Sequence, residues 1–89
     1  MKDLAQKPVR ERVAETIILL KEKYGFKKDN ETVNVSLSRE ELANITGTAT
    51  ETLIRFLSEF NKDGIIEISG KKIKIRNLKK LVATANIAD

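Results

Sequence analysis

Apolar residues recur along this chain at two spacings, and the changes between them divide the sequence into elements. Over residues 9–24 they return every three or four positions, the spacing of an amphipathic helix. Pro8 suits the first turn of that helix and Gly25 is a natural stop. Over residues 33–37 apolar and polar residues alternate, which is typical of a short half-buried strand. A helix followed by a strand indicates a mixed fold.

A second helix is predicted to begin directly after this strand. Ser38 and Glu41 match the S-x-x-E capping box, in which a hydroxyl and a carboxylate accept hydrogen bonds from amides at the helix start. Leu42 and Ile45 are expected to face the core. The Thr-Gly pair at residues 46–47 then predicts a tight corner.

A third helix follows that corner without a spare residue. Residues 48–51, Thr-Ala-Thr-Glu, match a second capping box. One face of the helix is apolar at the spacing of a buried stripe, and the opposite face is polar. Two helices joined by a tight corner, the second with a free outer face, form the order of a DNA-reading helix-turn-helix. The apolar face comprises Leu53, Phe56, Leu57 and Phe60, and the polar face comprises Glu51, Arg55, Ser58 and Lys62.

The last third of the chain predicts a β-hairpin and a short helix. Residues 65–68 and 73–75 flank a Gly-containing turn at 69–72, so the hairpin forms the wing of a winged helix. Asn77 is placed to cap a final helix that runs to Val82. The predicted fold class is α+β, a winged helix-turn-helix with a three-helix core, a short strand, a hairpin wing and a short C-terminal helix.

A chain of 89 residues forms one small domain. Residues 9–82 are interpreted as the winged helix, and residues 83–89, with weak periodicity, are expected to fray. Residues 1–8 are interpreted as a linker or as the end of an interdomain helix.

Composition argues against most enzyme chemistry. The chain has no Cys and no His, so it cannot form a disulfide, a zinc site of the usual ligands or a Cys- or His-based nucleophile. Glu40, Glu41, Glu51 and Glu59 are predicted on exposed helix faces, without a Gly-rich phosphate loop. We therefore predict no enzyme activity and no cofactor. The chain lacks a secretory signal and an apolar run of ~18 residues, so a cytoplasmic protein without membrane contact is expected.

The net charge of +4 is unevenly distributed. Residues 29–67 carry three basic residues against eight acidic ones. Residues 1–28 carry eight against four, and residues 68–88 carry six against none. Because attraction to nucleic acid grows with the number of neutralised phosphates, phosphate contacts are expected from the flanks.

Several runs of residues resemble a known family. Residues 37–43, Gly47, residues 51–57 and residues 64–66 look like the C-terminal DNA-binding domain of Crp/Fnr-type transcription regulators, and the resemblance covers residues 9–82. In that family the domain follows a sensory β-barrel and a dimerisation helix. The resemblance implies a fragment of a bacterial regulator that binds a pseudo-palindromic DNA operator as a homodimer, with RNA polymerase as a further partner.

The resemblance also implies particular base contacts. The family's Glu and Arg, four residues apart in the recognition helix, contact C and G, and here they match Glu51 and Arg55. The chemistry agrees, since Arg can donate two hydrogen bonds to guanine and a carboxylate can accept one from cytosine N4. Thr50 and Ile54 are further candidates, Ile54 by packing on a thymine methyl. Both depart from the family pattern of a basic and a small residue, as does Ala49, where Ser or Thr is usual.

Phosphate contacts are predicted at helix starts and on the wing. A helix N-terminus favours anions, and basic side chains beside the recognition helix fix the register without reading sequence. The predicted phosphate-contacting residues are Ser38, Arg39, Thr48, Thr52, Lys71 and Lys72, and Lys74 and Arg76 complete the basic patch of the wing.

Each assignment has a plainer alternative. Glu51 and Arg55 are spaced as an ordinary i, i+4 ion pair. Ser38 and Arg39 equally suit capping and surface roles, and the wing lysines suit the protection of an edge strand from aggregation. The whole domain could instead be a winged-helix module for protein–protein interaction, with Ile54 in an exposed apolar patch.

Overall fold

The computed structural model describes residues 7–87. This part of the chain contains four helices and a two-stranded antiparallel sheet, in the order of a winged helix-turn-helix, so the predicted α+β fold class is confirmed. The elements are α1 (Val9–Tyr24), α2 (Arg39–Thr46), α3 (Thr50–Lys62), β1 (Ile66–Ser69), β2 (Lys72–Ile75) and α4 (Leu78–Ala85).

The first helix is the centre of the domain, because α1 packs against α2, α3 and α4. It ends at Gly25, which has a φ of 71° and whose amide donates to the Lys21 carbonyl at 2.8 Å. One continuous apolar core, aliphatic apart from Phe60 among its buried residues, joins the helices to the wing. Its largest fully buried side chains are Phe60, Ile17, Leu53, Leu57, Ile65, Ile66, Leu81 and Val13.

Gly47 makes the corner between α2 and α3. Its φ of 83° lies in the left-handed region that favours glycine. The amides of Gly47 and Thr48 both donate to the Ala43 carbonyl, at 2.8 and 3.0 Å. The corner is therefore closed by one carbonyl of the last turn of α2, and only Ala49 remains before α3 begins.

The inner face of α2 differs from the predicted one. Leu42 is 2% exposed as expected, but Ile45 is 54% exposed. The buried positions are Leu42, Ala43 and Thr46, so the buried stripe is rotated away from Ile45. The prediction that Ile45 faces inward is wrong, because a helix of eight residues makes too few turns for periodicity to fix its rotation.

The second predicted capping box is also wrong. The N-cap of α3 is Ala49, which provides no side-chain hydrogen bond. Thr48 is held in the corner through its amide and does not occupy the cap position. The Thr-x-x-Glu pattern at residues 48–51 therefore has the right spacing but the wrong placement.

The wing is a regular hairpin. Ile66 pairs with Ile75 and Ile68 with Ile73, which places the apolar side chains on the face toward the core. Its connection is the two-residue loop Gly70-Lys71, with a φ of 62° at the glycine, as a type II′ turn requires at its first central position.

The strand predicted at residues 33–37 is reduced to isolated bridges. Thr32 bridges to Lys74 and Val33 to Phe26, so this segment lies beside β2 without forming a strand of its own. The Val35 amide donates to the Val33 carbonyl at 2.9 Å, which bends the backbone and ends the pairing.

The last helix is longer than predicted. The Asn77 side chain accepts from the Lys80 amide at 3.0 Å, as expected for its cap. However, α4 continues past Val82 to Ala85, which is fully buried, so fraying from Ala83 is wrong for residues 83–85. Burial against α1 stabilises this turn, which its periodicity alone did not indicate. Residues 1–6, interpreted as an interdomain helix or linker, and residues 88–89 lie outside the described residues.

Candidate nucleic-acid interface

The outer face of α3 presents three of the predicted base-contacting residues together. Glu51, Ile54 and Arg55 are exposed, with Ile54 at 43%, while Thr50 is half-buried. Glu51 and Arg55 do not form the ordinary i, i+4 ion pair that their spacing permits. Within residues 7–87 neither charge is therefore neutralised by a salt bridge, and both remain available to an outside partner.

Arg55 is steadied by its neighbour. Its guanidinium carbon lies 5.0 Å from the centroid of the Phe56 ring, a cation–π distance. Stacking on the ring leaves the N–H groups at the edge of the guanidinium free to donate. The Phe56 side chain, predicted to face the core, is half-buried, so it supports Arg55 from the edge of the core.

The opposite face of α3 anchors the helix. Leu53 and Leu57 are 1% exposed and Phe60 is fully buried, as predicted. The guanidinium of Arg10 in α1 lies 5.3 Å from the Phe60 ring centroid and its Nε lies 3.9 Å from Glu59. The C-terminal half of α3 is thus tied to α1 as well as packed on it.

Two polar contacts tie α1 to the corner between α2 and α3. The Arg12 guanidinium donates to the carbonyls of Lys7 and Gly47, each at 3.1 Å. Below it, the Thr46 hydroxyl donates to that of Thr16 at 3.0 Å, and both threonines are buried. Sequence reasoning missed this set, since 35 residues separate Arg12 from Gly47 and no local pattern joins them.

The N-terminus of α2 carries the one predicted capping box that forms. The Glu41 amide donates to the Ser38 hydroxyl at 3.0 Å, and the Ser38 amide donates to Glu41 Oε1 at 2.8 Å. The Ser38 amide, hydrogen-bonded to the Glu41 carboxylate, lowers the pKa of Glu41 below its ordinary value, and the Ser38 side chain and the charge of Lys71 lower it further. The capping role of Ser38 is confirmed, while a phosphate contact from this residue stays a prediction.

Arg39 connects α2 to the wing. Its Nη2 donates to the Gly70 carbonyl at 3.0 Å, across 31 residues of sequence. The start of α2 and the wing turn, where Lys71 lies exposed, are therefore joined directly. A guanidinium has five N–H donors, so this bond leaves others for a further acceptor.

The basic patch of the wing is divided by its ion pairs. Lys74 lies 3.9 Å from Glu31, and Arg76 pairs with Glu67. Lys71 and Lys72 form no such pair within the described part of the chain. The two lysines that the sequence favoured for phosphate contact are therefore the two without a salt bridge.

The acidic surplus of residues 29–67 is partly offset by the flanks. Three of its carboxylates lie beside cations that come from outside the segment, so the local field of this segment is less negative than the sequence count indicates. The pairs are Glu59 with Arg10, Glu31 with Lys74, and Glu67 with Arg76.

Thr48 and Thr52 are half-buried around the start of α3, and their hydroxyls form no hydrogen bond within residues 7–87.

Residues 7–87 include no group of three or more His, Cys, Asp or Glu side chains placed to hold a metal ion. Across this stretch, none of the helices has both the length and the apolar character that crossing a membrane requires.

A recognition helix anchored on one face and charged on the other, behind a basic wing, defines a DNA-binding winged helix-turn-helix. Residues 11–84 match the model of the Crp-like helix-turn-helix domain, so the chain belongs to that family. This is the DNA-binding domain of Crp/Fnr transcription regulators.

Named relatives agree with this assignment. The chain is 32% identical over 85 residues to the transcriptional activator protein FnrA of Stutzerimonas stutzeri, covering 92% of this chain and 34% of the relative. It is 33% identical over 89 residues to electron transport regulator A of Shewanella oneidensis, covering 96% and 36%. The structure of FixK2 from Bradyrhizobium japonicum is similar with a TM-score of 0.82 and 26% identity, covering 97% of this chain and 42% of that one. The chain thus spans about a third of the length of these curated relatives.

Proposed function

We propose that this domain reads a specific DNA sequence by placing α3 in the major groove. The observation that carries the proposal is the outer face of α3, where Glu51 and Arg55 are exposed and do not pair with each other. The two side chains have the spacing of a stabilising i, i+4 ion pair but do not form one, so stabilisation of the helix explains them poorly.

Each reading residue has a chemical counterpart on a base edge. Arg55 donates two hydrogen bonds to guanine O6 and N7, and Glu51 accepts one from cytosine N4. Ile54, exposed between them, packs on a thymine methyl, and Thr50 contacts a neighbouring base at the start of the helix. A good bidentate contact discriminates between bases by ~1–3 kcal/mol.

Phosphate contacts fix the register around this reading face. Thr48 and Thr52 offer hydroxyls at the start of α3, where the amides without a side-chain cap also favour an anion. Ser38 and Arg39 contribute from the start of α2. Lys71 and Lys72 contribute from the wing, where neither lysine has a salt bridge within residues 7–87.

The whole protein is proposed to act as a cytoplasmic regulator that binds its operator as a homodimer. Two-fold symmetry would place half-sites about 34–36 Å apart on a pseudo-palindrome. RNA polymerase is proposed as a partner, in keeping with relatives named as transcriptional activators. The domain is proposed to have no catalytic role and no cofactor of its own.

The test is a binding selection from random duplex DNA. The chain is fused to a neutral dimerising coiled coil, and wild type is run beside Arg55→Ala at two salt concentrations. Wild type should enrich a pseudo-palindrome with a fixed G·C pair that Arg55→Ala no longer selects. Equal, salt-sensitive retention of all sequences by both proteins would leave phosphate binding without base reading.

The second candidate is a protein-interaction module, which the exposure of Ile45 and Ile54 on the two helices favours. It predicts no retention of DNA by either protein in the selection. Ile54→Ala separates the two functions further, since base reading predicts a relaxed A·T position in the enriched sequence with the other positions unchanged.

A further inference from the structure

The loop after α1 holds Lys27 against the outer face of the wing. The Lys27 amide donates to the Thr32 carbonyl at 2.8 Å, and Thr32 bridges to Lys74 of β2. Asp29 fastens the loop by accepting from the Glu31 and Thr32 amides at 2.9 Å and from the Thr32 hydroxyl at 2.6 Å. These bonds lower the pKa of Asp29 to about 2. The position of Lys27 is therefore set by a closely bonded backbone.

A second lysine, Lys72, lines the same groove as Lys27. Hydrogen bonding and charge from the Lys27 side chain lower the pKa of the Lys72 ammonium. Within residues 7–87 neither lysine has a carboxylate partner. Two ammonium groups that line one groove repel each other, and an anion between them converts that repulsion into two attractions.

The two lysines line one groove of about 340 Å³ on the outer face of the wing. Of the two carboxylates in this groove, Glu67 pairs with Arg76, while Asp29 stays ionised and accepts hydrogen bonds within its own loop. The exposed Ser69 also lines it and adds a hydroxyl donor. The remaining wall residues are Thr32 and Lys74.

We propose that Lys27 and Lys72 form a site for a phosphate oxyanion, and that a phosphate of the DNA backbone occupies it when the domain is bound. The two oxygens of a backbone phosphate that are not bonded to sugar match two adjacent ammonium donors. Lys72 directly follows Lys71, the exposed residue of the wing turn, so the site would extend the wing's contact along the strand. The source of the phosphate rests on the proposed function, whereas the oxyanion site does not.

The site itself is tested without DNA. Sodium phosphate is titrated into the chain against sodium chloride of equal ionic strength, and the side-chain NMR signals of the lysines are followed. Phosphate should shift the Lys27 and Lys72 signals saturably and should raise the melting temperature above that in chloride. Lys27→Gln/Lys72→Gln should abolish the difference in melting temperature, while Lys79→Gln/Lys80→Gln, an equal loss of charge at exposed residues of α4, should keep it.

The DNA source is tested on the operator recovered by the selection. The binding constant falls with salt by a slope of about 0.9 per neutralised phosphate. Lys27→Gln should weaken DNA binding by ~3- to 10-fold. It should also make the salt slope shallower by about the amount expected for one phosphate. Because both lysines contact one phosphate, Lys27→Gln/Lys72→Gln should make the salt slope no shallower than Lys27→Gln alone does. Lys79→Gln should leave the slope unchanged.

The outcomes separate the two parts of the proposal. Phosphate shifts together with a slope changed by one step support both parts. Phosphate shifts with an unchanged slope overturn the DNA assignment and leave a site for free phosphate. Unshifted lysines together with an unchanged melting temperature overturn the site, even where wild type still selects its operator and the proposed function stands.

Discussion

The starts of α2 and α3 carry the same sequence motif and fold differently. Ser38 and Glu41 close a complete capping box with hydrogen bonds of 3.0 and 2.8 Å. Thr48 and Glu51 have the same spacing, yet α3 begins one residue later, at an alanine cap without a side-chain hydrogen bond. Side chains at the N-terminus of α2 cap that helix, whereas α3, the proposed recognition helix, has no side-chain cap.

The difference indicates two ways to begin a helix. The amides at the start of α2 are satisfied locally, so a polar cap defines that end. At the start of α3 the corner at Gly47 sets the chain direction, and the buried side chains of Leu53, Leu57 and Phe60 hold the helix in place. The uncapped amides of α3 are left for solvent or for a DNA phosphate.

The largest expected effect comes from the packed side of α3. Leu53→Ala should lower the free energy of unfolding by ~2–5 kcal/mol, because it removes a side chain that is 1% exposed and leaves a cavity. Ile54→Ala, one residue on and 43% exposed, should change it by less than ~0.5 kcal/mol. Urea unfolding followed by circular dichroism measures both. Similar losses for the two variants would contradict anchoring by packing.

Next in size is the loss of the real cap. Ser38→Ala should cost ~1 kcal/mol, since it leaves the Glu41 amide without its acceptor. Thr48→Ala should cost less than ~0.5 kcal/mol, because its hydroxyl caps nothing. For a domain of this size 1 kcal/mol corresponds to ~4–8 °C in melting temperature, which calorimetry resolves. A larger loss for Thr48→Ala would show that the second box forms in solution.

A cap added to α3 should have a smaller, opposite effect. Ala49 already has the extended backbone of an N-cap, with φ −70° and ψ 150°. Ala49→Ser should therefore stabilise the domain by ~0.5–1 kcal/mol, by giving a first-turn amide an acceptor. Ala49→Val is the control, since valine offers no side-chain acceptor and, like alanine, is a poor N-cap residue. An unchanged melting temperature in Ala49→Ser would mean that the corner holds the cap too rigidly for the bond to form.

The smallest expected effect is a change in pH dependence at α2. Folding lowers the pKa of Glu41 below its ordinary value of 4.5, so its contribution is present above that pH. The contribution is lost as the pH falls through the folded pKa. Thermal unfolding of Glu41→Gln should therefore depend less on pH below about 4.5 than that of wild type. Glu40→Gln controls for one lost negative charge at the same helix end. Parallel curves for wild type and Glu41→Gln would contradict a capping role for the carboxylate.

The candidate site likewise has features that the sequence predicted and features that it did not predict. The stripe of α3 placed Leu53 inward and Arg55 outward correctly, because a helix of 13 residues has turns enough to fix its faces. Nothing in the sequence indicated that Arg39 reaches Gly70 or that Arg12 reaches Gly47. The helical faces were therefore predictable, and the contacts that orient them were not.

The sequence by itself determined the features that depend on neighbours within about four residues. These are the order of the four helices and the hairpin, the two positive-φ glycines that end α1 and α2, the cap at Ser38 and the stripe of α3. Tertiary structure alone decided the rotation of α2, the end of α4, the partial neutralisation of the acidic segment and the placement of Lys27 and Lys72 in one groove. Each of these depends on burial or charge shared between residues far apart in the chain, which no local pattern encodes.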